Sequence, residues 1–334
     1  MPTALAFGES IVDAAKKAQF RQSHLFFEEL TLSLVLVTMR YSCFGANIFF
    51  LAVLTLGSFC YADEPTFPRI VFPHMASTDI NHEDYYFHAL LLMALEKTEA
   101  EYGGVQLLQH DQYLFDNRLR RELQKANLDV IWSVVPANFN CDLLPIPVSL
   151  LGDLNDYRLL LIRQNDQARF DAIDSLDGLR TLEGGMGQQW SDTDILRANG
   201  LSIVTAPGYG KLFYMLAAGR FDYFARGIFQ IYSEVNMYPA LHLQIENNLM
   251  LHYRNPFYFF VRTNEVDLAR RLQLGLQRAQ ADGSFRSLLE SIPRHKLALA
   301  ELKGSTRKVL ELDEAAAFIP DDQARQCADR YGVP

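Results

Sequence analysis

The side chain best suited to binding a small ligand is Arg226. It follows the apolar run FDYFA and stands directly before Gly227. A side chain at the carboxyl end of a strand lies where open α/β sheets bind ligands, and a planar guanidinium matches a carboxylate. The alternative is a surface or structural arginine that pairs with Asp222 or Glu234. The sequence leaves both interpretations open.

The two tryptophans of the chain are the next candidates. Trp132 lies near the end of a predicted strand over residues 128–135, and Trp190 follows a run of glycines. Aromatic rings at strand ends and in loops can stack on the body of a ligand. Burial in the core is the alternative interpretation for each ring.

The glycine run Gly184–Gly187 is predicted to be a loop whose backbone N–H groups could surround an anion. A helix is expected to follow, with Ser191 or Asp192 as its N-cap. Asp192 is a candidate for ligand contact, although capping is the favoured interpretation. The run lacks the Lys-Ser/Thr of a phosphate loop and the G-x-G-x-x-G spacing, so nucleotide binding is not predicted.

Other patterns point to chemistry less clearly. Arg118, in DNRLRREL, could reach a ligand, but a solvated helix face is the favoured alternative. A divalent ion could bind an irregular set of four side chains, His74, Asp79, His82 and Glu83. The chain has no H-E-x-x-H spacing, no nucleophile elbow and no isolated acid pair. We therefore predict no metal, no cofactor and no catalytic residue.

Composition limits the class of protein. The chain has 334 residues, of which 49% are apolar, and 31 Lys plus Arg against 40 Asp plus Glu give a net charge of -9. These values are typical of a globular protein with one or two domains. A negative field repels phosphate backbones, so nucleic acid is not an expected partner.

The most apolar stretch, Ile48–Phe59, has the length of the hydrophobic region of a signal peptide. It is too short to cross a membrane core of roughly 30 Å as a helix. Arg40 precedes it, and Cys60–Ala62 places small residues at the -3 and -1 positions of a cleavage site. We interpret residues 39–62 as a Sec-type signal peptide that is cleaved after Ala62, which predicts a periplasmic protein.

Residues 1–38 do not resemble the basic start of a signal peptide, because they contain four acidic side chains beside three basic ones. We interpret them as a mis-assigned or disordered extension, with translation starting at Met39. An uncleaved membrane anchor is the alternative, although Arg40 would make such a helix costly.

Export would leave two of the four cysteines, Cys141 and Cys327. Neither has the spacing of a zinc site. They could pair in an oxidising compartment, but separation in sequence gives no distance in space. We expect them to remain unpaired.

From Arg69 onward, short apolar runs alternate with amphipathic stretches. The predicted strands of the first unit are RIVFPHM, VQLLQH and LDVIWSVV, and a second unit begins at YRLLLIRQND. This alternation predicts an α/β fold with mainly parallel sheets. A last strand, NPFYFFVRTN, and one long helix cannot bury their apolar faces alone, so they must pack back on one of the two units.

The order of these segments resembles the type II periplasmic solute-binding proteins of the amino-acid-binding class, extracellular solute-binding family 3. The resemblance covers about residues 69–290 and rests on DAIDSLDGLRTLEGGMGQQWSD, LFYMLAAGRFDYFARG and PFYFFVRTNEVDLARRLQLGLQRAQADGSFRSLLE. It implies two α/β lobes, two open and mainly parallel sheets joined by crossing hinge strands, and a ligand trapped as the lobes close. Projected onto this chain, lobe 1 comprises residues 64–157 and 262–334, and lobe 2 comprises residues 158–261.

The resemblance also assigns residues. Asp222 matches the aspartate of the family's GrvDa strand, which holds a ligand amine or stabilises the lobe; a structural carboxylate is the alternative. The hinge would lie in the crossing strands Tyr157–Arg163 and Tyr258–Val261. The arginine expected soon after the strand DVIWSVV is absent, so amino-acid specificity does not carry over.

The resemblance implies a monomeric protein without catalytic activity that traps a small polar ligand, amino-acid-like or carboxylate. Delivery to an ABC-type transporter is the expected role, with an inner-membrane permease as partner. The alternative is a ligand sensor that acts on a membrane signalling protein. A periplasmic enzyme on the same scaffold is a third, less favoured, interpretation.

Overall fold

The computed structural model describes residues 67–114, 116–136, 139–313 and 320–333. The predicted extension and signal peptide lie outside these residues. Within the described part, no helix combines the length and the apolar character that crossing a membrane requires.

The described residues form strands and helices that are mixed along the chain. The strands are β1 (Arg69–Phe72), β2 (Gln106–Gln109), β3 (Ile131–Val134), β4 (Leu144–Pro145), β5 (Tyr157–Arg163), β6 (Glu183–Gly187), β7 (Ser202–Ala206), β8 (Tyr223–Gly227), β9 (Leu243–Ile245), β10 (Leu249–His252), β11 (Phe257–Val261) and β12 (Lys308–Glu311). The helices are α1 (Glu83–Glu96), α2 (Glu99–Tyr102), α3 (Asp116–Gln124), α4 (Gln167–Phe170), α5 (Leu176–Leu179), α6 (Ser191–Ala198), α7 (Tyr209–Ala217), α8 (Ile231–Met237), α9 (Val266–Ala281), α10 (Ser284–Ser291), α11 (Pro293–Gly304) and α12 (Pro320–Arg330).

The strands form separate sheets in two lobes. In lobe 1, β1 and β2 pair in parallel, and β3, β11 and β4 form an antiparallel sheet. In lobe 2, the order is β12-β10-β5-β8-β6-β7, with β9 also paired to β5. The predicted two-lobed α/β fold is confirmed. The sheets are mixed rather than mainly parallel, because β5 and β11 run antiparallel to their neighbours.

Strand pairing places two strands differently from the predicted lobe boundaries. β11 lies in lobe 1, where Phe259 pairs with Trp132. β12 lies in lobe 2, where Val309 pairs with Met250. The sequence assigned each of these strands to the other lobe. The predicted hinge strands β5 and β11 therefore lie inside the two sheets, and the chain crosses in the segments just before them.

Helix α1 contributes one of the lobe 1 side chains that contact lobe 2, Glu83. It begins where the His82 side chain accepts a hydrogen bond from the Asp84 N–H at 3.3 Å, and two acidic residues favour its N-terminus. Helix α9 packs against it at Gly275, where an added Cβ would lie 2.0 Å from the Ala94 carbonyl oxygen. A side chain at Gly275 would therefore push the two helices apart.

The predicted long terminal helix is divided into α9 and α10 at Gly283. The φ angle of Gly283 is +80°, a conformation that favours glycine and ends α9. Helix α11 then crosses from lobe 1 to lobe 2. There the Tyr232 hydroxyl donates to a Glu301 carboxylate oxygen at 2.8 Å.

Cys141 and Cys327 form a disulfide, so the expectation that they remain unpaired is wrong. Their Cα atoms are 5.4 Å apart although 186 residues separate them in sequence. The fold brings them together because α12 packs against β4 of lobe 1. The disulfide thus ties the end of the described chain to lobe 1.

Loss of this disulfide should destabilise the protein. A cross-link between residues 186 positions apart restricts the unfolded chain, and removing such a cross-link typically lowers the free energy of unfolding by about 2–5 kcal/mol. We expect Cys141→Ser, Cys327→Ser and the double variant to show similar losses in urea unfolding. Dithiothreitol should lower the free energy of unfolding of the wild type to that of the variants. It should leave the free energy of unfolding of the double variant unchanged. Equal stability of wild type and double variant would contradict this prediction.

Candidate ligand-binding site

The two lobes touch near the carboxyl ends of β6 and β8. Gln230, in the loop after β8, donates a hydrogen bond from Nε2 to Oε2 of Glu83 at the start of α1, at 2.9 Å. Asn117 of α3 donates to Gln189, between β6 and α6, at 3.1 Å. The region where open α/β sheets bind ligands therefore lies at the junction of the lobes.

The predicted glycine loop is strand β6. It lies between β7 and β8, so its backbone N–H groups take part in sheet pairing and are not arranged around an anion. The glycines are required by aromatic rings that pack on the strand. A Cβ would lie 2.1 Å from the Phe221 ring at Gly185, and 2.4 Å from the Trp190 ring at Gly187.

Arg226 is the penultimate residue of β8, and its guanidinium is paired with Glu234. Nε and Nη2 donate to the two carboxylate oxygens of Glu234 at 2.8 and 2.5 Å, and Nη2 also donates to Gln230 at 3.2 Å. Arg226 is only 8% exposed. The structure thus has the ion pair with Glu234 that the sequence left open as an alternative.

Aromatic rings enclose this ion pair. The guanidinium carbon of Arg226 lies 4.9 Å from the ring centroids of Trp190 and Phe224, and 5.3 Å from that of Tyr209. Trp190 stacks on Phe224 with centroids 6.1 Å apart and an interplanar angle of 17°. We call Trp190, Tyr209, Phe224, Arg226 and Glu234 the lobe 2 wall.

Both partners of Glu234 keep their protons. Burial raises the pKa of the Tyr209 hydroxyl, and the Glu234 carboxylate, which accepts its hydrogen bond at 2.8 Å, raises that pKa further. Burial lowers the pKa of Arg226, but Glu234 outweighs this effect, so the net shift is upward. The wall therefore contains a buried ion pair whose charges compensate each other.

Asp192 belongs to the connection between the lobes and does not cap α6, because the N-cap residue is Trp190. Its carboxylate accepts hydrogen bonds from Arg158 Nε at 2.9 Å, the Tyr253 hydroxyl at 2.6 Å and Asn255 Nδ2 at 3.1 Å. Burial raises the pKa of Asp192, but the Arg158 charge and these hydrogen bonds lower it, and the net shift is downward. The carboxylate stays ionised and links α6 to both crossing segments.

The two crossing segments also bond directly to each other. The Asn255 N–H donates to Asp156 Oδ1 at 2.9 Å, and the Asn155 side chain donates to the Asn255 carbonyl. Arg254 donates to Asp156 and, at 2.6 Å, to Asp321 of α12. We call the side chains of this junction the hinge network; they are Asn155, Asp156, Arg158, Asp192, Tyr253, Arg254, Asn255 and Asp321.

Asp222 lies at the opposite end of β8 from Arg226. Its carboxylate accepts from the Glu183 N–H at 3.1 Å, Arg169 at 2.8 Å and Arg163 at 3.3 Å. Burial raises the pKa of Asp222, but these donors lower it, and the net shift is downward. These contacts match the structural alternative, in which Asp222 stabilises the lobe.

Trp132 and Arg118 lie outside the lobe 2 wall. Trp132 is 8% exposed and stacks on Phe87 with centroids 5.7 Å apart, within the core of lobe 1. Arg118 is exposed on α3, where its charge acts on Glu122. Both positions match the alternatives that the sequence left open.

Sequence reasoning missed the polar side chains that begin α11. Pro293 signals the start of a helix, but nothing in the sequence signals that Arg294 and His295 are buried. The His295 ring lies 4.7 Å from the Tyr86 ring and 5.8 Å from the Phe229 ring. Burial and the Arg294 charge lower the pKa of His295 to about 3.

The four side chains that could have formed an irregular metal site are not assembled into one. His74 Nδ1 lies 2.9 Å from the His110 carbonyl oxygen, and Asp79 accepts hydrogen bonds from Asn81. His82 serves as the helix cap. In the part of the chain that the structure describes, no group of three or more His, Cys, Asp or Glu side chains could hold a metal ion.

Comparison with known proteins places the fold. No protein-family model matches the chain, and no curated protein sequence matches it. The BvgS VFT2 domain of Bordetella pertussis is similar in structure, with a TM-score of 0.50 and 16% identity over 67% of this chain and 92% of that domain. A structure from work on glutathione import through GshT and the cystine ABC importer TcyBC of Streptococcus mutans has a TM-score of 0.50 and 10% identity, over 68% of this chain and 95% of that one. These similarities identify the type II periplasmic-binding-protein fold.

The buried ion pair of the wall should contribute strongly to stability. Removing one partner of a buried pair leaves an uncompensated charge and typically costs about 3–5 kcal/mol. We expect Arg226→Met and Glu234→Leu each to lower the free energy of unfolding, and the double variant to lose less than the sum. A double-mutant cycle by urea unfolding measures this coupling. The exposed pair Arg286–Glu290 is the control, and equal coupling in both pairs would contradict the account.

His295 should make stability depend on pH. Its folded pKa is lowered to about 3, so between that value and its ordinary value near 6.5 the unfolded state binds a proton that the folded state does not. The contribution of neutral His295 to the free energy of unfolding is fully present above pH 6.5. As the pH falls below that value, this contribution is lost by about 1.4 kcal/mol per pH unit. Urea unfolding of His295→Asn between pH 7 and 5 should show a smaller slope than the wild type. Identical slopes would overturn this prediction.

Proposed function

We propose that this chain is a periplasmic solute-binding protein whose lobes close on a small polar ligand without catalysing a reaction. The observation that carries the proposal is the arrangement at the lobe junction. Side chains from α1 and from the loop after β8 meet directly there, through the hydrogen bond between Glu83 and Gln230. The hinge network connects the lobes behind this contact.

The lobe 2 wall supports an amino-acid-like or carboxylate ligand. Its aromatic rings supply apolar contact area, and the polar edges of Gln230 and Glu83 can bond to a small polar molecule. Arg226 does not need to contact the ligand, since its Nε and Nη2 bond to Glu234. We assign Arg226 the role of holding the wall in place.

Delivery to an ABC-type transporter is the first candidate role, and the Streptococcus mutans structure, from work on an ABC importer, supports it. A sensor that acts on a membrane signalling protein is the second. Both roles require export, which the predicted signal peptide over residues 39–62 would provide.

Ligand binding should stabilise and compact the protein. We expect at least one member of a panel of amino acids, organic acids, polyamines, sugars and glutathione to raise the thermal midpoint. A ligand at a hundredfold excess over its dissociation constant adds about 2.7 kcal/mol to the free energy of unfolding. The same ligand should reduce the radius of gyration in small-angle X-ray scattering, because the lobes close. Gln230→Ala should weaken both responses.

Asn236→Ala is the matched control, because the Asn236 side chain bonds only to the Tyr232 carbonyl of its own helix among the described residues. A panel without any hit on folded protein would count against the proposal. Uptake of the bound ligand by cells that lack the gene separates the two roles. Lost uptake indicates transport, whereas normal uptake with an altered signalling response indicates sensing.

A further inference from the structure

A second buried arginine, Arg294, lacks the partner that Arg226 has. It is the second residue of α11 and is 8% exposed. Its Nε and Nη2 atoms are buried, and no described residue accepts a hydrogen bond from either. Arginine stays protonated inside proteins, and leaving a buried donor without an acceptor is unfavourable. Such a group requires an explanation, and ligand binding is one that can be tested.

Arg294 lies where the lobes meet. Its guanidinium carbon is 5.8 Å from the ring centroid of Phe229, in the loop after β8. Burial lowers the pKa of Arg294, and the charges of Glu83, Asp84 and Glu234 act in the opposite direction. The guanidinium is therefore within electrostatic range of the start of α1 and of the lobe 2 wall.

The three nearby carboxylates already have other partners. Glu83 accepts from Gln230 at 2.9 Å, and Asp84 accepts from the Ala76 N–H at 3.0 Å. Glu234 holds Arg226 and the Tyr209 hydroxyl. None of these carboxylates bonds to Nε or Nη2 of Arg294.

The unpaired atoms form one edge of the guanidinium. Nε and Nη2 can donate two parallel hydrogen bonds to the two oxygens of a carboxylate. Arg226 uses this same edge for Glu234, at 2.8 and 2.5 Å. Arg294 thus presents the geometry that recognises a carboxylate, with no protein carboxylate on it.

We propose that Arg294 binds the carboxylate of the ligand at the lobe junction, a role that the sequence suggested for Arg226. The inference rests on the proposed binding function and names the group that the ligand must carry. The surrounding acidic side chains favour a ligand that also has a positive charge, and they disfavour phosphate and dicarboxylates. The ligand class is therefore a zwitterion with one accessible carboxylate.

Isothermal titration with matched probes tests this assignment. The probes are the twenty L-amino acids, their C-terminal amides, succinate and inorganic phosphate. We expect at least one free amino acid to bind, and its amide to bind about ten- to hundredfold more weakly, because a hydrogen-bonded charge is lost. Arg294→Gln should weaken binding of the free acid by a similar factor and leave binding of the amide almost unchanged. The affinity of Arg294→Lys for the free acid should lie between those of the wild type and Arg294→Gln.

Arg271→Gln is the matched control. Arg271 is also buried, at 5% exposed, but it bonds to Thr98 and to the Gly103 carbonyl. Its loss should lower the thermal midpoint of the ligand-free protein and leave affinity unchanged. Arg294→Gln should weaken ligand binding and leave the thermal midpoint of the ligand-free protein almost unchanged. It removes a charge whose Nε and Nη2 have no hydrogen-bond acceptor among the described residues.

Several results would overturn the assignment. Equal affinity of wild type and Arg294→Gln for a free amino acid would remove Arg294 from the site and leave the binding function intact. A ligand that proves to be a sugar, a polyamine or phosphate would also overturn the assignment of Arg294 and leave the binding function intact. A midpoint loss in Arg294→Gln as large as that in Arg271→Gln would assign Arg294 a structural role. If no probe binds and the broader panel also fails, the proposed function itself is rejected.

Discussion

The structure depends on the pairing of buried charges where the chain crosses between the lobes. Asp156 and Asp192 lie in this junction, and each bonds to residues of the second crossing segment, including Asn255. A buried carboxylate without partners would cost several kcal/mol, so the crossing segments must stay together while the strands on either side form separate sheets. The hinge network thereby holds the two crossing segments together. The same network reaches α12 through Arg254 and Asp321, and the disulfide holds α12 to lobe 1.

The need of a buried charge for a partner also distinguishes the two arginines at the junction, Arg226 and Arg294. Arg226 has a carboxylate partner eight positions along the chain and is enclosed by aromatic rings, so it stabilises lobe 2 as a rigid wall. Arg294 is equally buried, but its carboxylate-binding edge has no acceptor among the described residues. The buried guanidinium groups of Arg158 and Arg226 each bond to a carboxylate, so the difference at Arg294 is informative. This unsatisfied donor edge is the group that we propose binds the ligand carboxylate.

The fold could be predicted from sequence because it depends on local patterns. The apolar runs of β5 and β8 are buried on both faces and are typical of strands. The site is harder to predict from sequence than the fold, because its geometry depends on contacts between residues that are distant along the chain. Gly185 and Gly187 suggested a loop, yet they are required by rings that pack across the strand. The position of Arg226 at a strand end was predicted, but its pairing with Glu234 was left open. Neither the burial of Arg294 nor the disulfide has any local signal.

We infer that the lobes are two bodies that move about the hinge network and are held by direct contacts at their junction. Double electron–electron resonance tests it most directly, with spin labels carried by a genetically encoded amino acid at the exposed positions Lys125 in lobe 1 and Lys211 in lobe 2. We expect Gln230→Ala combined with Asn117→Ala to change the distance distribution by populating a second, open arrangement, while Asn236→Ala leaves it unchanged. A single distance that is identical in all three proteins, with or without the ligand panel, would contradict the account.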